Sequence, residues 1–539
     1  MKTIYYNGRV YTGKLPLVQA FAVEGDKFLA AGSDGEILAV CGVGDEKVDL
    51  GGKFVCAGFN DSHMHLLNYG QSLNMAPLFA HTTSLEEMLS CLREFIAVNP
   101  GIRGEWVMGR GWNQDYFTDV KRMPTRWDLD TVSKDIPICA VRACGHALVL
   151  NSRAIELLGI TADTPQPEGG QIVMENGVPN GIFFDNAMEP IYEAIPAPGK
   201  EDLKNMIRSA CKALNAYGVT SSQSDDYCVF RTLGWKEINE AYEELEREGE
   251  LSVRVYEQSN FTDLPSLSEF VEQGNVTGAG SEFFKIGPLK MLGDGALGAR
   301  TAYLSRPYAD DPNTCGIPVF TRDTFEQLIG YANDHDMQVA VHTIGDACLD
   351  DVLWAIDKAL ERKPRADHRH GIVHCQISRA DQLEKMADMK LHIYAQSIFL
   401  DYDINIVEQR VGKELAATSY SWKTLKDKGA SVSNGSDCPV ELPFVMGGIQ
   451  CAVTRSTLKG DVGPYLAHEA FSVQEALDSF TTAGAYASFE ENIKGTIAPG
   501  MLADFVVLGA DPFETDVNKL KDIPVLATYV GGKQVFKAV

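Results

Sequence analysis

The chain is 539 residues long, and its 74 acidic against 48 basic side chains leave a formal net charge of −26. That excess repels phosphate backbones and anionic membrane surfaces, which sets nucleic-acid and membrane partners aside. With 45% hydrophobic and 23% charged residues, the composition suits a globular protein with one large catalytic domain and one smaller domain.

The opening residues, MKTIYYNGRVYTG, hold no apolar core of signal-peptide length, and no stretch approaches the roughly 18 apolar residues of a membrane span. Twelve cysteines without a C-x-x-C pair read as buried thiols of a reducing compartment, so a cytoplasmic protein is expected. Residues 2–55 are short alternating β runs broken by glycine, such as TIYYNGRVYT and AFAVEGDKFLAAG. The C-terminal runs GTIAPGMLADFVVLG and VLATYVGGKQVFKA repeat the manner, with hairpin signals at Asn7-Gly8 and Gly531-Gly532. We expect residues 1–56 and 490–539 to combine into one small composite β-sandwich domain.

The stretch GFNDSHMHLL follows the first β-rich segment. In an extended strand, residues two apart point the same way, so His63 and His65 can reach one point with Met64 turned aside. Residues about 100–200 are rich in Gly, Pro and Asn and read as a long insertion after this first strand, of the kind that shapes a barrel's mouth. Beyond it, β runs alternate with helices: QVAVHTIGD leads into ACLDDVLWAIDKALER, and GIVHCQI into SRADQLEKMADMK. Such alternation at this length predicts an α/β fold, a (β/α)8 TIM barrel spanning 57–489.

Other polar residues close short apolar runs. Lys290 ends KIGPLK, His342 ends QVAVH, His374 ends GIVH, and Asp437 follows SVSNGS. Residues at the C-terminal ends of barrel strands ring a single mouth, and one βα unit takes roughly 30 to 50 residues. The intervals of 52, 32 and 63 residues place the four on strands 4, 5, 6 and 8, with His63 and His65 on strand 1.

The ordered set His-x-His, Lys, His, His, Asp resembles the metal site of the amidohydrolase superfamily. GRGWNQ, CGHALVLNS, LKMLGDGALGARTA, VHTIGD, VHCQ and SNGSDCPVE together resemble its amidohydrolase-3 branch, which contains the N-substituted formamide deformylases. The resemblance implies a two-metal centre, with His63, His65 and Asp437 on one ion and His342 and His374 on the other. Lys290 would bridge the two as a carbamate formed with carbon dioxide. Zinc suits this donor set first, then manganese, iron or cobalt. The implied activity is hydrolysis of an amide, N-acyl or N-formyl bond of a small molecule by a metal-activated hydroxide, with Asp437 as general base and then acid.

Each residue also has a plainer reading. Lys290 could pair with Asp294 instead of being carboxylated. Trp112, Asn113, His146 and Arg300 are candidate substrate contacts that could equally hold the insertion and its loops together. His370 reads as structural, and Cys375 as a small outward-packed hydrophobe. A mononuclear deaminase of a cyclic amidine is the alternative enzyme, disfavoured because TIGDA after His342 lacks the glutamate that such deaminases use. An inactive binding scaffold is disfavoured by the complete ligand set. A homodimer is the base-rate expectation.

Overall fold

Eight short strands form one sheet, and every neighbouring pair in it runs parallel. In chain order they are β1 (Phe59–Met64), β2 (Val219–Ser224), β3 (Arg254–Asn260), β4 (Phe284–Leu292), β5 (Val339–Thr343), β6 (Gly371–His374), β7 (His392–Ala395) and β8 (Ser431–Asn434). Sheet order follows chain order, as right-handed strand–helix–strand connections require. The sheet curls into a nearly closed barrel. β1 and β8 share no ladder, but their chain continuations are stitched by Asp437 N–H to the His63 carbonyl (2.8 Å) and His65 N–H to the Cys438 carbonyl (2.7 Å). Gly435 permits this approach: a Cβ there would lie 2.5 Å from the His63 backbone nitrogen.

The structure is a computed structural model that describes residues 1–98, 106–143, 146–230 and 232–538. The chain divides into two compact units. One comprises residues 1–66, 210–228 and 242–539 and contains the barrel; the other comprises 67–209 and 229–241.

In the first unit, helices follow the strands with ordinary local signals. Thr321 caps Arg322–Asp334 by accepting from Thr324 N–H, and Ser472 with Glu475 forms a capping box at Val473–Ser479. Two further sheets flank the barrel sequence. A four-stranded sheet is built from the first 49 residues, and a five-stranded sheet joins Arg9–Val10 and Phe54–Ala57 to Phe505–Leu508, Val525–Val530 and Lys533–Lys537. Tyr5 and Phe21, from the first sheet, pack edge-on against Phe505 of the second, with centroids 5.1 and 5.0 Å away. Gly531-Gly532 closes a true hairpin, both residues at positive φ. Asn7-Gly8 does not: Asn7 takes the left-handed conformation, but the strands on either side of it belong to different sheets.

The second unit holds a six-stranded sheet running from Gly170–Glu175 at one edge to Ala76–Pro77 at the other. Helix Leu85–Val98 packs Met88 and Leu92 into a core shared with Trp112, Phe117 and Leu129. Among the described residues, no helix is long and apolar enough to cross a membrane.

Candidate metal centre

Lys290 lies on β4, His342 on β5 and His374 at the end of β6, while His63 and His65 sit at the end of β1 and Asp437 three residues past β8. Parallel register brings them to one end of the barrel, with Leu292 opposite His342 and Thr343 opposite His374. His63, His374 and Asp437 place one ligand atom each within 4.8 Å of one another, and all three are buried. Asp437 Oδ1 lies 3.4 Å from His63 Nε2 and 3.2 Å from His65 Nε2. Asp437 (φ 58°) and His374 (φ 73°) both adopt the left-handed backbone region, strain of the sort that proteins retain at working sites. The Trp422 indole N–H donates to the His374 carbonyl at 3.0 Å and braces that conformation.

The far nitrogen of every imidazole is committed. His63 Nδ1 meets Gln258 Oε1 at 2.7 Å, and Gln258 is oriented by its own Nε2 donating to the Ser62 carbonyl. His374 Nδ1 meets Gln396 Oε1 at 2.7 Å, with Gln396 Nε2 donating to the Tyr394 carbonyl. His65 Nδ1 donates to the Asp225 carbonyl at 2.9 Å, and His342 Nε2 to the Gly295 carbonyl at 3.1 Å. These acceptors fix the tautomers and aim four nitrogen lone pairs inward. His342 Nδ1 and His374 Nε2 then face each other at 2.9 Å. Burial, reinforced by Lys290 for His342 and by His342 itself for His374, keeps both rings neutral: His342 is pushed down to about 4 and His374 well below its usual value. Two lone pairs at hydrogen-bond distance without a proton between them require a cation, and the donor set therefore fits a divalent metal.

Charge at the other corner points the same way. Burial and Lys290 push His63 down to about 4. Burial also opposes a charged His65, but Asp437 and Asp225 outweigh it and raise His65 to about 9, a proton that a metal at Nε2 would displace. Asp437 is held well below the carboxylate range by His63 and His65, against the effect of burial. Asp61 accepts from Ser436 N–H (2.9 Å) and Ser436 Oγ (2.5 Å) and so braces the loop that carries Asp437.

Lys290 is 1% exposed, and its Nζ lies 3.3 Å from Asp225 Oδ2. Asp294, its partner in the plainer reading, is instead spent on the backbone N–H groups of Tyr303, Ile344 and Gly345. Asp225 lies just past β2, where Asn260 Nδ2 also donates to it at 3.2 Å. Sequence reasoning missed Asp225, Gln258, Gln396 and Asp61. A run as polar as SSQSDD at a strand's C-terminal end was the available signal.

The candidate substrate contacts fall as follows. Trp112 is fully buried and donates its indole N–H to the Ala140 carbonyl at 2.9 Å. Asn113 Oδ1 accepts from Asp115 N–H and from Arg142. His146 is exposed, its Nδ1 3.1 Å from Asp185 Oδ1; Cys144 and Gly145 of the same motif lie outside the described residues. Those three belong to the second unit. Arg300 pairs with Asp310 at 2.8 Å, and Asp310 also meets Arg410. His370 is buried between Val339 N–H and Asn333, and Cys375 lies against the Met386 sulfur at 3.7 Å.

The family model described as "Amidohydrolase family" matches residues 46–536. The chain is 33% identical to the Bacillus subtilis (strain 168) protein named "Putative amidohydrolase YtcJ", with 100% of both chains covered. It is 25% identical to the N-substituted formamide deformylase of Arthrobacter pascens, over 98% of this chain and 96% of that one. Among solved structures, an uncharacterized metal-dependent hydrolase from Pyrococcus furiosus superposes with a TM-score of 0.79 at 31% identity, covering 95% of this chain and 100% of that chain.

Proposed function

The chain belongs to the amidohydrolase family, metal-dependent hydrolases of carbon–nitrogen bonds other than peptide bonds, and from that premise we propose that it cleaves an amide, N-acyl or N-formyl bond of a small molecule. The observation that carries this reading is the pair of facing ring nitrogens of His342 and His374, 2.9 Å apart, each with its proton held on the far side. In this reading His63, His65 and Asp437 hold one divalent ion, zinc by preference, and His342 and His374 hold a second. Lys290 would join the donor set as a carbamate, because an ammonium cannot ligate a cation whereas a carbamate offers two anionic oxygens. When bound, the ions supply Lewis acidity, which lowers the pKa of water and polarises the scissile carbonyl.

The chain's own residues do the rest. Asp437 takes a proton from water and returns it to the leaving nitrogen; a carboxyl held so low is a weak base and a correspondingly ready donor. Gln258, Gln396 and the carbonyls of Asp225 and Gly295 keep the four imidazoles in the ligating tautomer. Phe399 stacks on His374 at 5.9 Å and gives the site an apolar wall. Arg300, with its side chain 34% exposed, is the substrate contact retained; its alanine variant is expected to raise KM with kcat unchanged. We read residues 1–56 and 490–539 as a composite β-sandwich domain beside a 57–489 barrel, and the enzyme as cytoplasmic.

The test is metal stoichiometry by elemental analysis on protein purified without chelators and with bicarbonate, alongside turnover on a panel of amides and formamides. Two metals per chain, falling in Lys290→Ala, support the bridged hydrolase. One metal, unchanged in that variant, with turnover of cyclic amidines and none of amides, would establish the deaminase instead.

A further inference from the structure

His374 stands out of register with the ligand it faces. The ladder between β5 and β6 pairs His342 with Val373, so those two share a face, and an unbroken strand would turn His374 the other way. Left-handed backbone at His374 (φ 73°) and Cys375 (φ 49°) bends the chain there, and the His374 ring comes round to meet His342 Nδ1 at 2.9 Å. Residues with a Cβ adopt that conformation at a cost and keep it only where their surroundings hold it. The Trp422 indole N–H, 3.0 Å from the His374 carbonyl, is such a hold.

Trp422 itself, buried at the start of the helix Trp422–Asp427, has a charged neighbour. Arg455 follows the helix Val445–Thr454, is 1% exposed, and among the described residues forms no ion pair. Its Nε donates to the Tyr465 carbonyl at 3.0 Å, while its Nη2 has no hydrogen-bond partner. Glu469, the carboxylate that attracts it, has both oxygens taken by Thr424. Aromatic faces stand where a carboxylate would ordinarily be. The guanidinium carbon lies 5.7 Å from the centre of the Trp422 ring and 5.7 Å from that of Tyr465, and Tyr420 meets both rings edge-on. Burial pulls Arg455 down to about 10 against the attraction of Glu469, which leaves it charged at neutral pH. A desolvated cation over an indole is held by the ring's negative face. Its field draws electron density toward that face, and a ring so polarised is a stronger N–H donor.

We propose that Arg455 is a positioning residue of the metal centre: its guanidinium strengthens the bond from the Trp422 N–H to the His374 carbonyl and so keeps His374 turned toward His342. This rests on the metal centre of the reading above, not on its substrate.

The indole N–H resonances of nitrogen-labelled full-length protein read the bond directly, and Trp422 is identified among the six tryptophans by the signal that Trp422→Phe removes. In Arg455→Met that proton is expected to move upfield, the sign of a weaker hydrogen bond, and in Arg455→Lys to stay near its place. Chelator competition on the metal-loaded protein is expected to show one ion bound about tenfold more weakly in Arg455→Met, with no further loss when the change is added to Trp422→Phe. An unmoved resonance, an unchanged metal affinity, or a loss that adds in full to that of Trp422→Phe overturns the proposal. Should Arg455→Met fail to fold, Arg455→Gln is read in its place, since its amide keeps a donor for the Tyr465 carbonyl. An unaltered protein that binds metal and cleaves no amide removes the hydrolase reading and leaves the Arg455 effect in force.

Discussion

The two ends of the barrel hold the same kinds of groups in opposite states of completion. At the N-terminal ends of the strands, Arg254 makes two bonds to Asp504 (2.7 and 3.1 Å), and Glu490 lies between Lys285 (2.6 Å) and Lys494 (2.5 Å). Arg369 there is shared by Asp367 and Glu491 and stacks on Tyr486 at 3.8 Å. Every charge named meets its opposite. At the C-terminal ends, His342 and His374 present facing lone pairs, and Asp437 lies between His63 and His65 rather than opposite a lysine or arginine. The difference separates stability from chemistry along one axis: closed ion pairs fasten the chain's last segments to the barrel, while the donors that fit a metal gather at the other end.

Asp437→Asn should break the comparison at its functional end. We expect kcat/KM to fall about a thousandfold or more, with metal lost from the His63 and His65 side. Circular dichroism and the melting curve of the chelated protein should change little, because the strained loop is still held by Asp61 and Ser436. Unfolding of this variant would show that the open end carries stability after all.

Glu490→Gln is the matching cut at the closed end. It leaves Lys494, 5% exposed, without its buried partner, and such losses cost about 3–5 kcal/mol. Denaturant midpoints should drop while metal stoichiometry stays the same. Loss of metal in this variant would tie the two ends together and sink the separation.

Gln258→Leu sharpens the contrast more finely. The His63 ring loses the acceptor that fixes its tautomer, but no ligand is removed. Metal affinity measured by competition with a chelator should weaken about 10–100-fold, and Gln396→Leu should do the same through His374.

Sequence reading reached the parts of this architecture that repeat or recur at intervals. The barrel strands announce themselves as apolar runs ending in a polar residue, and the 32-residue step from His342 to His374 measures one βα unit. What escaped it was pairing between residues 22 to 195 positions apart. Asp225 precedes Lys290 by 65 positions, and nothing local to SSQSDD says which cation it meets; the nearer Asp294, the alternative to carboxylation, has its oxygens taken by backbone N–H groups. Gln258 and Gln396 were equally hidden, since a glutamine at a strand end has no periodic signature. Asn7-Gly8 failed for a related reason. Local turn chemistry fixes a left-handed residue, but tertiary packing decides which sheet each flanking strand joins.

The smallest effect tests the closed end by titration. Burial opposes the charge on Glu490, but Lys494 and Lys285 outweigh it and bring its carboxyl from 4.5 down to about 2. A depressed folded-state value stabilises the protein fully above the unfolded-state value, and the gain is lost as pH falls toward about 2. Between about pH 5 and pH 3.5 the unfolded chain binds a proton at this position that the folded chain refuses, so stability falls by about 1 kcal/mol from Glu490 alone. Other carboxylates titrate in the same window, which makes the difference between two curves the useful quantity. Urea unfolding of the unaltered protein and of Glu490→Gln, followed over that range, should converge by about 1 kcal/mol as pH drops, because glutamine has no proton to bind. Parallel curves would mean that Lys285 and Lys494 do not hold Glu490 ionised in the folded state, and the closed end would then owe its stability to packing rather than to its ion pairs.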